Sequence, residues 1–564
     1  MKFKDYAYIR PDFNHVKSEF EKLLDVFAQA PDVIIGQETF KKINALRLSW
    51  TSMSTLSSIR HSIDTVDPFY ETENDYWDNQ NPLYAELDTL LYKAVLDSTF
   101  RNELEAFIPK TFFQMAENAL KAFDPKIIPD LQEENKLRSS YGKLIASAQI
   151  DFKGETLTLA QLYPYTLNPD RKTREDAWLA KADFFKTHEV EIDEIYDKMV
   201  KLRDQIARKL GYKDFIELGY VRMNRLDYNA QMVSVFRKQV LTDIVPLVQK
   251  LMKRQAKRLG LDHLYYYDLG YEFISGNPKP IGTPEEIIAS GQKMYHQLSQ
   301  ETGEFIDFMI ERDLLDLVAK KGKESGGYCT YISEHQSPFI FSNFNGTQGD
   351  VEVLTHEAGH AFQAYMSRWI DIPECSFPTY ESAEIHSMSM EFITWPWMDQ
   401  FFGKDTDKFK FSHLSSAMTF MPYGVLIDHF QHDVYANPQW TPAERKAAFR
   451  SLEKQYLPHK DYTGNDFLER GGYWFQQGHV FGSPFYYIDY TLAQICALQF
   501  FKRAQDQDPQ MWNDYLNLCK VGGTKSFLEL VNIAHLKSPF EEGCVASVTA
   551  LVEQTLDAIS DQSL

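Results

Sequence analysis

No stretch of the sequence carries the ~18 uninterrupted apolar residues that a membrane-spanning helix requires. The N-terminal MKFKDYAYIRPDF also lacks an apolar core of signal-peptide length, so neither export nor a membrane partner is expected, and the expected compartment is cytoplasmic. Cysteine is scarce. The five thiols, Cys329, Cys375, Cys496, Cys519 and Cys544, are scattered, odd in number and without a C-x-x-C pair, which argues against structural disulfides and for small buried hydrophobes. Basic residues are in deficit, 59 against 80 acidic, and the net charge of −21 disfavours nucleic acid and anionic membrane surfaces as partners. Glycine and proline, 27 and 24, are spread thinly, so no linker announces itself, and no internal repeat is found. Oligomeric state leaves no mark in the composition.

What remains is a charged, helix-rich globular pattern in a 564-residue chain, long enough for several cores. In NHVKSEFEKLLDVFAQA the residues Val16, Phe20, Leu23, Leu24 and Phe27 share one face at three- and four-residue steps. Similar periods recur up to about Arg208, interrupted by AQIDFKGETLTLAQL, whose alternation around Lys153-Gly154 predicts a small hairpin. Helices are predicted again from Asn229 and from Thr283, and the capping box opened by Thr441 starts another. YCTYISEHQSPFIFSNFNGTQGD breaks this rhythm and predicts a second hairpin around Glu334 to Pro338. A lobe boundary is placed near residue 200, giving an N-terminal helical lobe of 1–200 and a catalytic lobe of 201–564.

VEVLTHEAGHAFQAY, Val351 to Tyr365, follows that hairpin. With 15 histidines in the chain, His-Glu-x-x-His arises by chance in about 3 of 100 such sequences, so the spacing alone does not decide its meaning. Its context favours chemistry. Val351, Leu354, Ala358, Ala361 and Tyr365 form an apolar helical stripe, Asp350 is placed as the N-terminal cap, and His356 and His360 project one turn apart toward a common point. Two imidazoles there could share one zinc ion, with Glu357 left free to hold a water. A third protein ligand is needed, and no Gly-x-x-His follows, so a glutamate from a second helix is expected. Glu381, Glu384 and Glu391 in YESAEIHSMSME are the candidates. Glu384 and Glu391 are two turns apart on one face, so one can ligate while the other holds an imidazole from behind. His386 lies on another face and reads as structural or substrate-side, with the structural reading preferred.

A third segment, GHVFGSPFYYIDY from Gly478 to Tyr490, sets His479 between two glycines and ahead of Tyr486, Tyr487 and Tyr490. Such groups can donate to an oxyanion. In a chain with 31 tyrosines, packing is the competing explanation.

Together LTHEAGHAF, ESAEIHSMSMEFITWP and GHVFGSPFYYIDY resemble the thimet oligopeptidase and oligoendopeptidase F family of zinc peptidases, most of all the oligoendopeptidase F or Pz-peptidase branch. The resemblance implies a mainly α fold, a two-lobed helical ellipsoid enclosing a deep substrate channel, with a small β-sheet beside the zinc helix. It implies zinc held by His356, His360 and Glu384, Glu357 as general base and Glu391 behind the ligands. His479 matches the family's loop histidine. Tyr486 and Tyr490 are assigned to the scissile carbonyl, with Tyr487 as the fallback, because the tyrosine spacing differs from that of mammalian relatives. FIFSNF would then be the edge strand to which a peptide adds, making Phe341, Ser342, Asn343, Phe344 and the adjoining Gly346 substrate-binding residues.

The activity so implied is internal cleavage of short oligopeptides, collagen-derived ones among them, by a Glu-activated zinc-bound water. Two alternatives stand beside it: a related helical zinc carboxypeptidase or dipeptidyl carboxypeptidase, and a non-catalytic peptide-binding protein.

Overall fold

Aspartates open the long helices of the N-terminal region. Asp12 accepts from the Asn14 and His15 amides ahead of the helix Phe13–Ala28, Asp32 from the Ile35 amide ahead of Val33–Ile63, and Asp67 from the Phe69 and Tyr70 amides ahead of Pro68–Leu96. Pro68 occupies the first turn of the last of these, where its missing N–H has no partner to lose. The protein is described here from a computed structural model, which covers residues 1–320, 322–324, 326–561 and 564. Its fold is mainly helical, as the periodicity and the resemblance led one to expect.

The chain forms two compact units. The first comprises Met1–Leu120, Pro278–Thr406 and Cys496–Ser538. Phe20 and Phe27 of the first helix pack there into an aromatic core with Phe40, Trp50, Trp77 and Tyr84. Trp50 stacks on Tyr84 with ring centroids 4.7 Å apart and meets Trp77 edge-on at 4.9 Å, a geometry that adds ring quadrupole attraction to the buried area. The second unit comprises Lys121–Asn277, Asp407–Ile495 and Pro539–Leu564. Residue 200, where a lobe boundary was expected, lies inside its continuous helix Glu189–Lys209. The chain passes between the units several times.

Among the described residues, five short strands complete the fold. In the second unit β1 (Ile150–Phe152) and β2 (Glu155–Leu157) form the expected hairpin. Its turn residues, Lys153 and Gly154, have φ of 52° and 85°. In the first unit β3 (Leu315–Val318), β4 (Tyr328–Ile332) and β5 (Ser337–Phe344) form a three-stranded sheet ordered β3-β5-β4. β4 and β5 are the second expected hairpin, antiparallel with Ile332 opposite Ser337, and β3 runs parallel to β5. None of the five cysteines forms a disulfide among the described residues. Among the described residues no helix is long and apolar enough to cross a membrane.

Candidate active site

β5 leads through a turn into the helix Gly349–Met366, which carries both histidines and Glu357. The expected apolar stripe is buried: Val351, Leu354, Ala358, Ala361 and Tyr365 all face the interior. Asp350 plays a different part from the cap assigned to it. It sits inside the first turn, and its carboxylate accepts from the Asn345 amide at 2.9 Å and the Gly346 amide at 2.8 Å, tying the turn after β5 to the helix.

The second helix, Tyr380–Ile393, crosses the first at very close range, and Gly359 is the reason. A Cβ at that position would lie 2.5 Å from Ser387 Cα and 2.7 Å from the His386 carbonyl oxygen. Only glycine lets the two backbones approach this far. The approach brings Glu384 Oε2 to 3.4 Å from His356 Nε2 and 3.6 Å from His360 Nε2. One donor atom from each of the three residues lies within 4.8 Å of the others. For a tetrahedral ion with bonds of about 2.0–2.1 Å, neighbouring donors should stand about 3.3–3.4 Å apart, close to the two separations from Glu384. Two imidazoles and a carboxylate are also the donor chemistry that zinc accepts.

Glu391 and Ser387 hold this set in place. Glu391 Oε1 is 2.6 Å from His356 Nδ1, which leaves Nε2 as the donor turned toward Glu384. Ser387 Oγ donates to Glu384 Oε2 at 3.1 Å. Burial pushes against the Glu384 charge, but the hydrogen bonds to His356 and His360 outweigh it and hold the carboxyl well below its ordinary value. Burial disfavours the His356 cation too, yet Glu384 and Glu391 together raise its pKa well above that of a free imidazole. Glu357 differs: burial dominates and raises its pKa, with the nearby histidines opposing.

The remaining candidates of this helix pair separate cleanly. Glu381 accepts from Thr379 Oγ1 at 2.8 Å and does not join the histidines. His386 is fully buried, its ring nitrogens lying 3.4 Å from the Ala383 and 3.5 Å from the Leu518 carbonyl oxygens, and burial lowers its pKa to about 4. That is the structural role expected of it.

The edge-strand assignment is overturned. FIFSNF belongs to β5, the central strand, so Ile340 and Phe341 are paired on both sides. Phe341 and Phe344 are buried, Asn343 Nδ2 donates to the Glu324 and Gly326 carbonyls at 2.8 Å, and the Ser342 carbonyl accepts from Lys323. The Gly346 amide is taken by Asp350. A strand flanked on both sides offers a peptide no free main-chain ladder, whereas the outer side of β4 has no strand partner among the described residues.

The third motif lies in the second unit and forms its own cluster. The His479 ring centroid is 5.6 Å from that of Tyr486, 5.0 Å from Tyr487 and 6.2 Å from Tyr490, and Tyr486 meets Tyr490 at 5.1 Å. Buried arginines hold the loop. Arg203 donates to the Phe481 carbonyl, and Arg225 donates to the Phe485 carbonyl at 2.8 Å while pairing with the buried Asp489. Phe485 has φ of 68°, a left-handed conformation that costs a residue with a Cβ about 1 kcal/mol or more and persists here because Gln431 and Arg225 clamp both its amide and its carbonyl.

The description "Peptidase family M3" matches residues 165–549, and "Peptidase M3 N-terminal domain" matches residues 3–123. The chain belongs to peptidase family M3. Within it, this M3 peptidase falls in the oligoendopeptidase F branch. It is 54% identical to a Pz peptidase A solved with an inhibitor, covering 100% of both chains with a TM-score of 0.92. It is 52% identical to a Bacillus anthracis protein assigned as an oligoendopeptidase F, over 100% of this chain and 99% of that one, with a TM-score of 0.88. An oligoendopeptidase F homologue of Borreliella burgdorferi is 22% identical over 88% of this chain and 91% of its own length.

Two contributors to the site of this M3 peptidase, Gly359 and Ser387, were not singled out by sequence. Gly359 carries a signal, being the small residue between the two histidines, but its partner backbone is invisible in one dimension. Ser387 stands three residues after Glu384, a spacing that permits the bond it makes. Cys329 on β4 has no sequence signal; burial and the charge of nearby Glu357 push its thiol pKa well up, so it is an inert neighbour of the base.

Proposed function

We propose that the chain is a zinc-dependent endopeptidase that hydrolyses internal bonds of oligopeptides. The observation that carries this reading is the convergence of His356, His360 and Glu384 beside the buried Glu357. A zinc ion held by the three would supply Lewis acidity and bring the pKa of a bound water down toward ~7. Glu357, whose burial favours its protonated form, is suited to take a proton from water and to hand it to the leaving amine. Glu391 keeps His356 in the tautomer that leaves Nε2 as donor. His479, Tyr486 and Tyr490 are assigned to the scissile carbonyl oxygen, with Tyr487 as the alternative phenol, and each such donor is worth ~10²–10³ in rate. The outer edge of β4, rather than β5, is assigned to the main chain of the peptide by strand addition. The names of the oligoendopeptidase F and Pz-peptidase relatives support oligopeptides as the substrate class.

A quenched fluorescent peptide blocked at both ends tests this. The expected result is cleavage at an internal bond, identified by product masses, that a chelator abolishes and zinc restores. If the blocked peptide survives while a free C-terminus loses single residues or dipeptides, the enzyme is an exopeptidase and the endopeptidase assignment is wrong.

A further inference from the structure

A cavity of about 460 Å³ opens in the second unit, its lining made of residues other than those assigned above to catalysis. Its wall carries Lys181, Lys460 and His459 among the rings of Trp178, Tyr423 and Tyr473, and among the described residues no aspartate or glutamate lines it. In a chain with 80 acidic and 59 basic residues, a cavity with that lining is out of keeping with the rest of the molecule.

The two lysines are poorly compensated. Lys460 is 9% exposed at its side chain, and its ammonium lies 3.3 Å from the centroid of the Tyr473 ring and 5.4 Å from that of Tyr423. Its ion-pair partner is Glu453 at 3.7 Å, but that carboxylate already accepts from Tyr462 Oη at 2.6 Å and from Arg450 at 3.1 Å. Among the described residues Lys181 has only the Trp178 ring, 4.7 Å away, and burial together with the Lys460 charge lowers its pKa to about 8. His459 Nδ1 is buried with no hydrogen-bond partner among the described residues. Aromatic faces attract a cation weakly, about 0.5–2 kcal/mol, and do not cancel the repulsion of two ammonium groups. A carboxylate would.

The cavity wall is also continuous with the histidine and tyrosine loop of the same unit. Tyr423 Oη donates to Gln477 Oε1 at 3.0 Å, and Gln477 Nε2 lies 2.8 Å from His479 Nδ1. Tyr423 and Phe420, both in the wall, pack on Tyr487 with centroids 5.8 and 5.6 Å away.

We propose that this cavity binds a carboxylate of the peptide substrate, with Lys181 and Lys460 as its counter-charges and the aromatic wall packing on the residue that bears it. The proposal rests on the peptidase reading above. A volume of this order holds one terminal residue with its side chain. The carboxylate can come from a free C-terminus or from an aspartate or glutamate side chain, and the two are separable by experiment.

Three quenched peptides of one sequence serve as probes: the free acid, the C-terminal amide, and the amide ending in glutamate. We expect kcat/KM for the free acid to exceed that for the plain amide about tenfold, with the ratio collapsing toward one in Lys181→Met and Lys460→Met and kept in Lys181→Arg. Because the ratio compares two substrates on one protein, a partly unfolded variant does not distort it. If the glutamate amide matches the free acid, the cavity takes any carboxylate; if it matches the plain amide, the terminal carboxylate is the ligand. A wild-type ratio near one, or a ratio that survives both methionine variants, overturns the proposal. Calorimetric titration of Glu357→Gln with the free acid and the amide separates this from turnover. Acid-selective binding without hydrolysis by the wild type would remove the peptidase reading and leave the cavity, whereas equally efficient hydrolysis of both peptides would do the reverse.

Discussion

The His356, His360 and Glu384 cluster of the first unit and the His479 and tyrosine segment of the second are positioned by different physics. In the first, backbone packs on backbone: Gly359 against Ser387 and His386 sets the distance between two helices, and the three side chains follow from helical pitch. In the second, the short helix Gly478–Gly482 turns at 483–486 into the helix Tyr487–Gln505, and buried charges do the positioning, Arg203 and Arg225 reaching the carbonyls of Phe481 and Phe485. A helix pair needs one small residue at the crossing. A loop needs a donor for each carbonyl it buries, since an unmet one costs about 1–3 kcal/mol.

The largest effect should come from the chemistry itself. Glu357→Gln should lower kcat by about 10³-fold while zinc content, read by metal analysis, stays at one per chain. Substantial residual turnover would mean another base operates. Next, Arg225→Met removes a guanidinium that pairs with Asp489, whose side chain is fully buried, and should destabilise the protein by about 3–5 kcal/mol in urea unfolding. An unchanged midpoint would show that the loop is not held by charge.

Gly359→Ala should cost about 1–3 kcal/mol and weaken zinc binding with it, because the added carbon meets backbone that cannot swing aside. Gly478→Ala is the matching test on the loop: its Cβ would meet only Tyr141 Cε1 at 3.9 Å, so stability should move by less than about 0.5 kcal/mol. Equal losses in the two alanine variants would erase the distinction drawn between the regions. Glu391→Gln should reduce zinc affinity about 10–100-fold, measured by competition with a chromophoric chelator, through loss of the anion behind His356.

Local periodicity made much of this legible. The His356, Glu357 and His360 trio, the shared face of Glu384 and Glu391, the structural place of His386 and both hairpins follow from repeats of 3.6 and 2 residues. Strand order does not follow from them. β5 has the composition of any buried strand, and only β3, arriving from 22 residues upstream to pair in parallel, turns it from an edge into the centre.

By itself, then, the sequence determined which side chains share a helical face and where helices start, because those are contacts within a few residues governed by pitch and capping. The tertiary structure alone decided which faces meet. It set Glu384 rather than Glu381 against the histidines, made β5 central, and gathered Lys181 and Lys460, 279 positions apart in the chain, into one cavity without an acidic residue in its wall. Such meetings depend on the packing of distant surfaces, and no spacing along the chain encodes them.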